Sequence, residues 1–190
     1  MKTKTLVLMA SIAVLAGACA TYTTIDPGRQ WVKDISVEPS LSWNQVTRGL
    51  PGATQWTQDG QLLNSIIFIS GVEDGKPMFT VSKKAEFPIF HANMLPNEVM
   101  ELTESSLSKG FDATLIETSD LTPMKFASVD GFRFAFRYVP RGDEVERHGI
   151  AVGAIKDGKL YMILSEGTSL VYYDKIAPEA EHIFESAMLR

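Results

Sequence analysis

Two periods organise this chain. Residues 131–139, GFRFAFRYV, alternate: Phe132, Phe134, Phe136 and Tyr138 share one face, and Arg133, Ala135 and Arg137 share the other. Successive side chains of a strand point to opposite faces, so the aromatic row predicts a core-facing strand, with the arginines on a solvated or helix-edge face. Further apolar runs at 62–71, 150–155 and 160–164 also have strand length. Asp-Gly recurs at 59–60, 74–75, 130–131 and 157–158. Between apolar runs this pair marks a turn, because both central positions of the tightest hairpins need φ > 0. IKDGKL at 155–160 is the sharpest hairpin signal, and 62–71 runs toward the turn at 74–75 with Met78–Val81 beyond it. The gaps between the four pairs are irregular, so there is no internal repeat.

The helical period appears twice. Residues 95–110 begin with Pro96 and Asn97, carry acids early and close on Lys109 and Gly110, as a helix does. Val99, Met100, Leu102, Thr103 and Leu107 form its apolar stripe. Residues 177–190 place Ile176, Ala180, Ile183, Phe184, Ala187 and Met188 at helical spacing. Pro178 suits a first turn there, and Glu179 and Glu181 suit the positive end of the helix dipole. Strands, a middle helix, more strands and a terminal helix predict an α+β class: a mostly antiparallel twisted sheet flanked by a middle helix and a C-terminal helix. The apolar, proline-containing connection Phe87–Phe90 and Met94–Pro96 is expected to cover the core, with a partner-binding patch as the alternative.

The N-terminus does not belong to that pattern. Lys2 and Lys4 precede an apolar stretch from Leu6 to Ala16, and small residues follow, which is the layout of a secretory signal. The stretch is shorter than the roughly 20 apolar residues a membrane span needs. Ala16-Gly17-Ala18-Cys19 resembles a bacterial lipobox, with Ala16 where leucine is preferred and Leu15 one step further off. The resemblance implies cleavage before Cys19 and acylation of both its thiol and its new amine. Two chains anchor a protein stably, whereas one binds marginally. Ala16-x-Ala18 also suits an ordinary signal peptidase, which would release a soluble periplasmic protein. Cys19 is the one cysteine of the chain, so no intrachain disulfide is available and a lone thiol in an exported protein calls for a reason. The implied organisation is a signal peptide over 1–18, a lipidated polar tether over 19–30 and a single domain over 31–190. Ala20, in place of aspartate, implies sorting to the outer membrane with the domain facing the periplasm.

The segment WTQDGQLLNSIIFISGV, 56–72, is similar to one found in proteobacterial envelope lipoproteins. The half from Gly131 to Arg190, a long antiparallel sheet closed by a helix bearing IFESAML, resembles the PsbP/Mog1-like sandwich. That resemblance implies an accessory binding role and supplies no catalytic residues.

Charge narrows the partners. Removing residues 1–18, which carry two lysines and no acid, takes the net charge from −5 to −7. Nucleic acid needs a basic patch to neutralise phosphates, so it is not an expected partner. The expected partners are the membrane, through the N-terminal lipid, and an envelope protein or small ligand.

Chemical motifs are few. Ser106-Leu107-Ser108-Lys109 fits S-x-x-K but lacks the companion segments that acyl transfer requires. Nucleotide-binding glycine loops and G-x-S-x-G are missing from the sequence, and no cofactor is implied. Arg141-Gly142-Asp143 is a turn sequence. Glu144, Glu146 and His148 alternate on one face, and with His91 they could make a metal site; a charged strand face is the plainer reading. Pairing 131–139 with 146–155 sets Arg137 opposite His148 and diagonal to Glu146, so Arg133, Arg137 and His148 form a candidate ligand or anion patch. The expected function is a membrane-anchored, non-catalytic lipoprotein that binds a partner or small ligand. The alternative is a periplasmic hydrolase of envelope material using a carboxylate–histidine site, recognisable by a pocket that holds His91 or His148 within reach of a carboxylate.

Overall fold

The computed structural model describes residues 22–80 and 87–190. The signal segment 1–18, Cys19 and Val81 lie outside the described residues. In chain order the elements are β1 (Tyr22–Ile25), β2 (Gln30–Val32), β3 (Ile35–Val37), β4 (Trp43–Val46), β5 (Thr54–Thr57), β6 (Asn64–Val72), β7 (Lys76–Pro77) and β8 (Ile89–Phe90). They continue with α1 (Pro96–Gly110), β9 (Ala113–Phe126), β10 (Val129–Pro140), β11 (Arg147–Lys156), β12 (Lys159–Thr168), α2 (Tyr172–Glu185) and β13 (Met188–Leu189). An antiparallel eight-stranded sheet, ordered β1-β4-β5-β6-β12-β11-β10-β9, carries one core on each face. Helix α1 covers one face; α2 and a small sheet, β13-β3-β2, cover the other. The class is α+β, as the two periods predict.

The aromatic row behaves as its alternation requires. Phe132, Phe134, Phe136 and Tyr138 are buried in the α1-side core with Ile67, Ile69, Leu160, Met162 and Leu164. Gly149, opposite Phe136 in the β10–β11 register, leaves the space the ring occupies: a Cβ there would fall 2.2 Å from the ring. The β11–β12 hairpin turns at Asp157 and Gly158, with φ of 51° and 73°, the paired left-handed geometry anticipated for IKDGKL. Helix α1 starts on Pro96, and the Glu98 carboxylate accepts the Leu95 backbone N–H at 2.7 Å. It buries Val99, Leu102, Thr103, Ser106 and Leu107. Phe90 is buried while Phe87 and Met94 pack on the same core, so the 87–96 connection covers the core in part, with Ile89 and Leu95 exposed.

Several local expectations are corrected. Asp130-Gly131 is not the turn between β9 and β10: Ala127 and Ser128 take the left-handed conformation, φ 49° and 69°, and Asp130 sits within β10 opposite Lys125. Gly131 serves packing instead, since a Cβ there would meet the Gly153 carbonyl at 2.3 Å. The terminal helix begins five residues earlier than expected, at Tyr172, and Pro178 lies inside it. The proline leaves the Asp174 carbonyl without its usual donor, a cost offset by burial of Ile176, Ala180, Ile183 and Phe184. The helix stops at Glu185, and residues 188–189 pair with β3, a partner some 150 residues away in sequence. Tyr22–Ile25, within the stretch expected to be tether, pair with β4 as the sheet edge. Met78–Thr80 do not return along β6; the short β7 pairs with β8 instead.

Candidate functional site

Near the C-terminal end of α1, lined by Gly110 and Phe111, lies a cleft of about 550 Å³. Its size falls within the roughly 300–1,000 Å³ of small-molecule sites. The floor comes from three adjacent strands. Tyr138 ends the aromatic row of β10, Arg147 opens β11 opposite it, and Glu166 follows Leu160, Met162 and Leu164 in phase along β12. Loop residues Arg48, Leu50, Leu62, Phe111 and Arg141 line the rest of the cleft. Phe111 stacks on the Tyr138 ring at 5.3 Å between centroids.

The floor is polar and dry. Glu166 is 1% exposed and Arg147 4%. The Tyr138 hydroxyl donates to Glu166 Oε2. Burial pushes the Glu166 carboxyl above its ordinary range, while the Tyr138 hydroxyl and the Arg147 charge oppose the push. Burial likewise raises the Tyr138 hydroxyl well above its usual value, reinforced by the neighbouring Glu166 charge. Arg147 is incompletely satisfied. Its Nη2 lies 3.8 Å from Asp143 Oδ2, and its Nε has no hydrogen-bond partner. Asp143 is engaged elsewhere, since its Oδ1 accepts the Glu144 and Val145 backbone N–H groups. A buried donor without an acceptor costs about 1–3 kcal/mol, more when charged. Of the four buried side-chain atoms in that condition among the described residues, the Arg147 nitrogen is the one in the cleft.

The residues singled out by sequence lie on the opposite face. The register sets Arg137 opposite His148, as anticipated. Arg137 donates to Glu117 at 2.6 Å, and its Nη1 stands 3.7 Å from Glu146. His148 Nε2 lies 2.9 Å from Glu146. Both line a groove of about 320 Å³ with Ser119 and Tyr173. Arg133 does not join them: it makes a two-pronged pair with Glu181 of α2, at 2.9 and 2.5 Å, and lies over the Phe184 ring. The structure thus brings Arg137 and His148 together and sends Arg133 to the helix edge, with a carboxylate beside each arginine. His91 is remote from them, 3.3 Å from Asp74, and no cluster of metal-ligating side chains occurs among the described residues.

Sequence reasoning missed Tyr138, Arg147 and Glu166 as a group. The available signal was phase: Glu166 falls on the core-facing positions of an apolar row, and Arg147 shares the phase of Ala151 on its strand. A charged residue in a core phase is uncommon unless paired.

No protein-family model and no curated protein matches the sequence. Among solved structures, the cyanobacterial PsbP, CyanoP, from Synechocystis sp. PCC 6803 superposes with a TM-score of 0.56 at 14% identity, over 95% of this chain and 100% of that one. The fold is PsbP-like. The PsbP-like similarity therefore extends along the chain rather than over its C-terminal half alone. LpqN of Mycobacterium tuberculosis, a protein involved in cell envelope biogenesis, matches more distantly, with a TM-score of 0.38 at 11% identity over 92% of this chain and 87% of that one. At such identities the PsbP-like likeness is one of fold, and residue roles come from this chain's own geometry. No helix among the described residues is long and apolar enough to cross a membrane.

Proposed function

We propose that this protein is a lipid-anchored, non-catalytic binding module of the bacterial cell envelope, held to the outer membrane through acylated Cys19, and that the cleft over Tyr138, Arg147 and Glu166 is where it takes its ligand. One observation carries the binding role: a buried guanidinium with an unused donor at the floor of an open cleft. Such a group is expensive in an empty surface and useful in a site that receives an acceptor. The lipid anchor is supported by Cys19 and its small-residue context. Native mass spectrometry of the protein extracted from its own membranes in mild detergent tests both parts. The expected species begins at Cys19, carries acyl mass and retains a companion in fixed ratio. An unmodified chain removes the anchor, and a chain that never carries a companion counts against the binding role.

One observation favours a second reading, a periplasmic hydrolase acting on envelope material. His148 lies within hydrogen-bond reach of Glu146 in a groove that also holds Ser119. The Ser119 hydroxyl donates to Asp120 and not to His148, so the nucleophile–base contact of an acyl-transfer site is not formed. Turnover of a chromogenic ester by the wild type, lost in His148→Ala, would establish the hydrolase; equal rates in both would dismiss it.

A further inference from the structure

We infer that the cleft recognises a small molecule carrying an oxyanion head, a carboxylate or a phosphate, joined to an apolar body. The inference rests on the cleft being the binding site. It is built from the charge and shape of the lining. Three arginines, Arg48, Arg141 and Arg147, face two carboxylates, Asp143 and Glu166, so the lining is positive in a chain of net charge −5. The carboxylates are already committed: Glu166 to the Tyr138 hydroxyl, and Asp143 to two backbone N–H groups. A cationic ligand would meet three guanidinium groups against two carboxylates. The donors are not all committed. Arg141 pairs with Asp112 at 3.0 Å, but Arg48 forms no ion pair among the described residues, and Arg147 Nε has no partner. A guanidinium presents its N–H groups as a planar fork that matches the two oxygens of a carboxylate or phosphate. Arg147 lies at the floor, 4% exposed and with its Nε unpartnered, and Arg48 supplies a second charge at the exposed rim.

The walls fix the rest of the ligand. Leu50 and Phe111 flank the arginines, and Leu62, 70% exposed, stands at the mouth. Large apolar side chains so placed accept a body that is itself apolar, while the head meets Arg147 below. The tyrosine hydroxyl and Glu166 have a separate part. Glu166 is held by the Tyr138 hydroxyl and does not occupy the Arg147 Nε, which leaves that donor unpartnered.

The test is a titration of the isotopically labelled full chain in a non-ionic detergent, followed by NMR at the Arg147 Nε–H signal and the Phe111 amide. The probes are phenyl phosphate, benzoate and benzyl alcohol at matched ionic strength. Both signals are expected to move saturably with at least one anion and not with the alcohol, and the anion that binds more tightly identifies the head. Arg48→Gln should weaken that binding about fivefold. Arg147→Lys, which keeps the charge and loses the fork, should weaken it about tenfold or more. Should Arg147→Lys not fold, Arg48→Gln alone decides. Benzyl alcohol binding as tightly as the anions would overturn the oxyanion inference and leave the cleft as the site. If no probe moves either signal at millimolar concentration, the inference and the cleft reading fall together.

Discussion

Removing the guanidinium of Arg147 should expose the cost of burying Glu166. Arg147→Met keeps much of the side-chain volume and deletes the charge. Glu166, 1% exposed, then has the Tyr138 hydroxyl alone to stabilise its anion. Arg147 makes no ion pair with Glu166, and acts on it only through the field of its charge, so the cost falls below the about 3–5 kcal/mol of a broken buried ion pair. The cost should depend on pH, because Glu166 can escape it by taking a proton. Burial already raises its pKa, and the Arg147 charge is one of two influences holding it down; without Arg147 it climbs further. In the unfolded chain the carboxyl titrates near its ordinary 4.5. Below that pH both states hold the proton, and the charge penalty vanishes. Between the unfolded value and the raised folded one, the native state binds the extra proton, so stability falls as pH rises, by up to about 1.4 kcal/mol per pH unit. The variant should therefore lie near the wild type at about pH 5 and roughly 1–2 kcal/mol below it at pH 7. Urea unfolding followed by the fluorescence of Trp43 and Trp56, both buried, reads the difference. Arg147→Met/Glu166→Gln should recover most of the loss at pH 7, since no buried charge remains and the amide oxygen still accepts from Tyr138. A deficit equal at the two pH values, or no recovery in the double variant, would refute the electrostatic coupling of the two groups.

The other expectations are simpler. Gly149→Ala places a methyl against the Phe136 ring and should cost about 1–3 kcal/mol in the same unfolding assay, with partial relief in Gly149→Ala/Phe136→Leu. Arg133→Gln breaks a partly exposed pair with Glu181 and should change stability by less than about 1 kcal/mol, shrinking with added salt. Cys19→Ser should move the protein from the membrane fraction to the soluble one in cell fractionation, as loss of both acyl chains removes the stable anchor.

The parts of the fold readable from sequence were those governed by local periodicity. The GFRFAFRYV row, the IKDGKL hairpin and the stripe of α1 each announce their partners through phase, turn chemistry or capping. Strand β9 was not readable in that way. Its residues alternate weakly because it is an outer strand, with much of its surface exposed, and half-exposed strands carry little apolar signal. Pro178 misled for a related reason. Proline is tolerated best in a first turn, and that preference suggested a helix start that packing of Ile176 against the sheet overrode. Strand β13 looked helical because Ala187 and Met188 continue the stripe of α2, yet the edge of β3 offered a better use for their backbone groups.

The candidate site divides in the same manner. Arg137 and His148 were found because a hairpin register is a local property, computable from one turn. The cleft depends on Arg48, Phe111, Tyr138, Arg147 and Glu166, drawn from two loops and three strands. Nothing in their spacing relates them. The sequence by itself determined the α+β class, the inward row of aromatics and the tight β11–β12 turn, since each follows from neighbours along the chain. Only the tertiary structure decided that the end of α1, the loops at Arg48 and Arg141 and three strand ends meet around one cleft, with Glu166 and Arg147 buried yet lining it. That outcome depends on where separate elements end relative to one another in space, and a one-dimensional pattern of polar and apolar residues does not contain that distance.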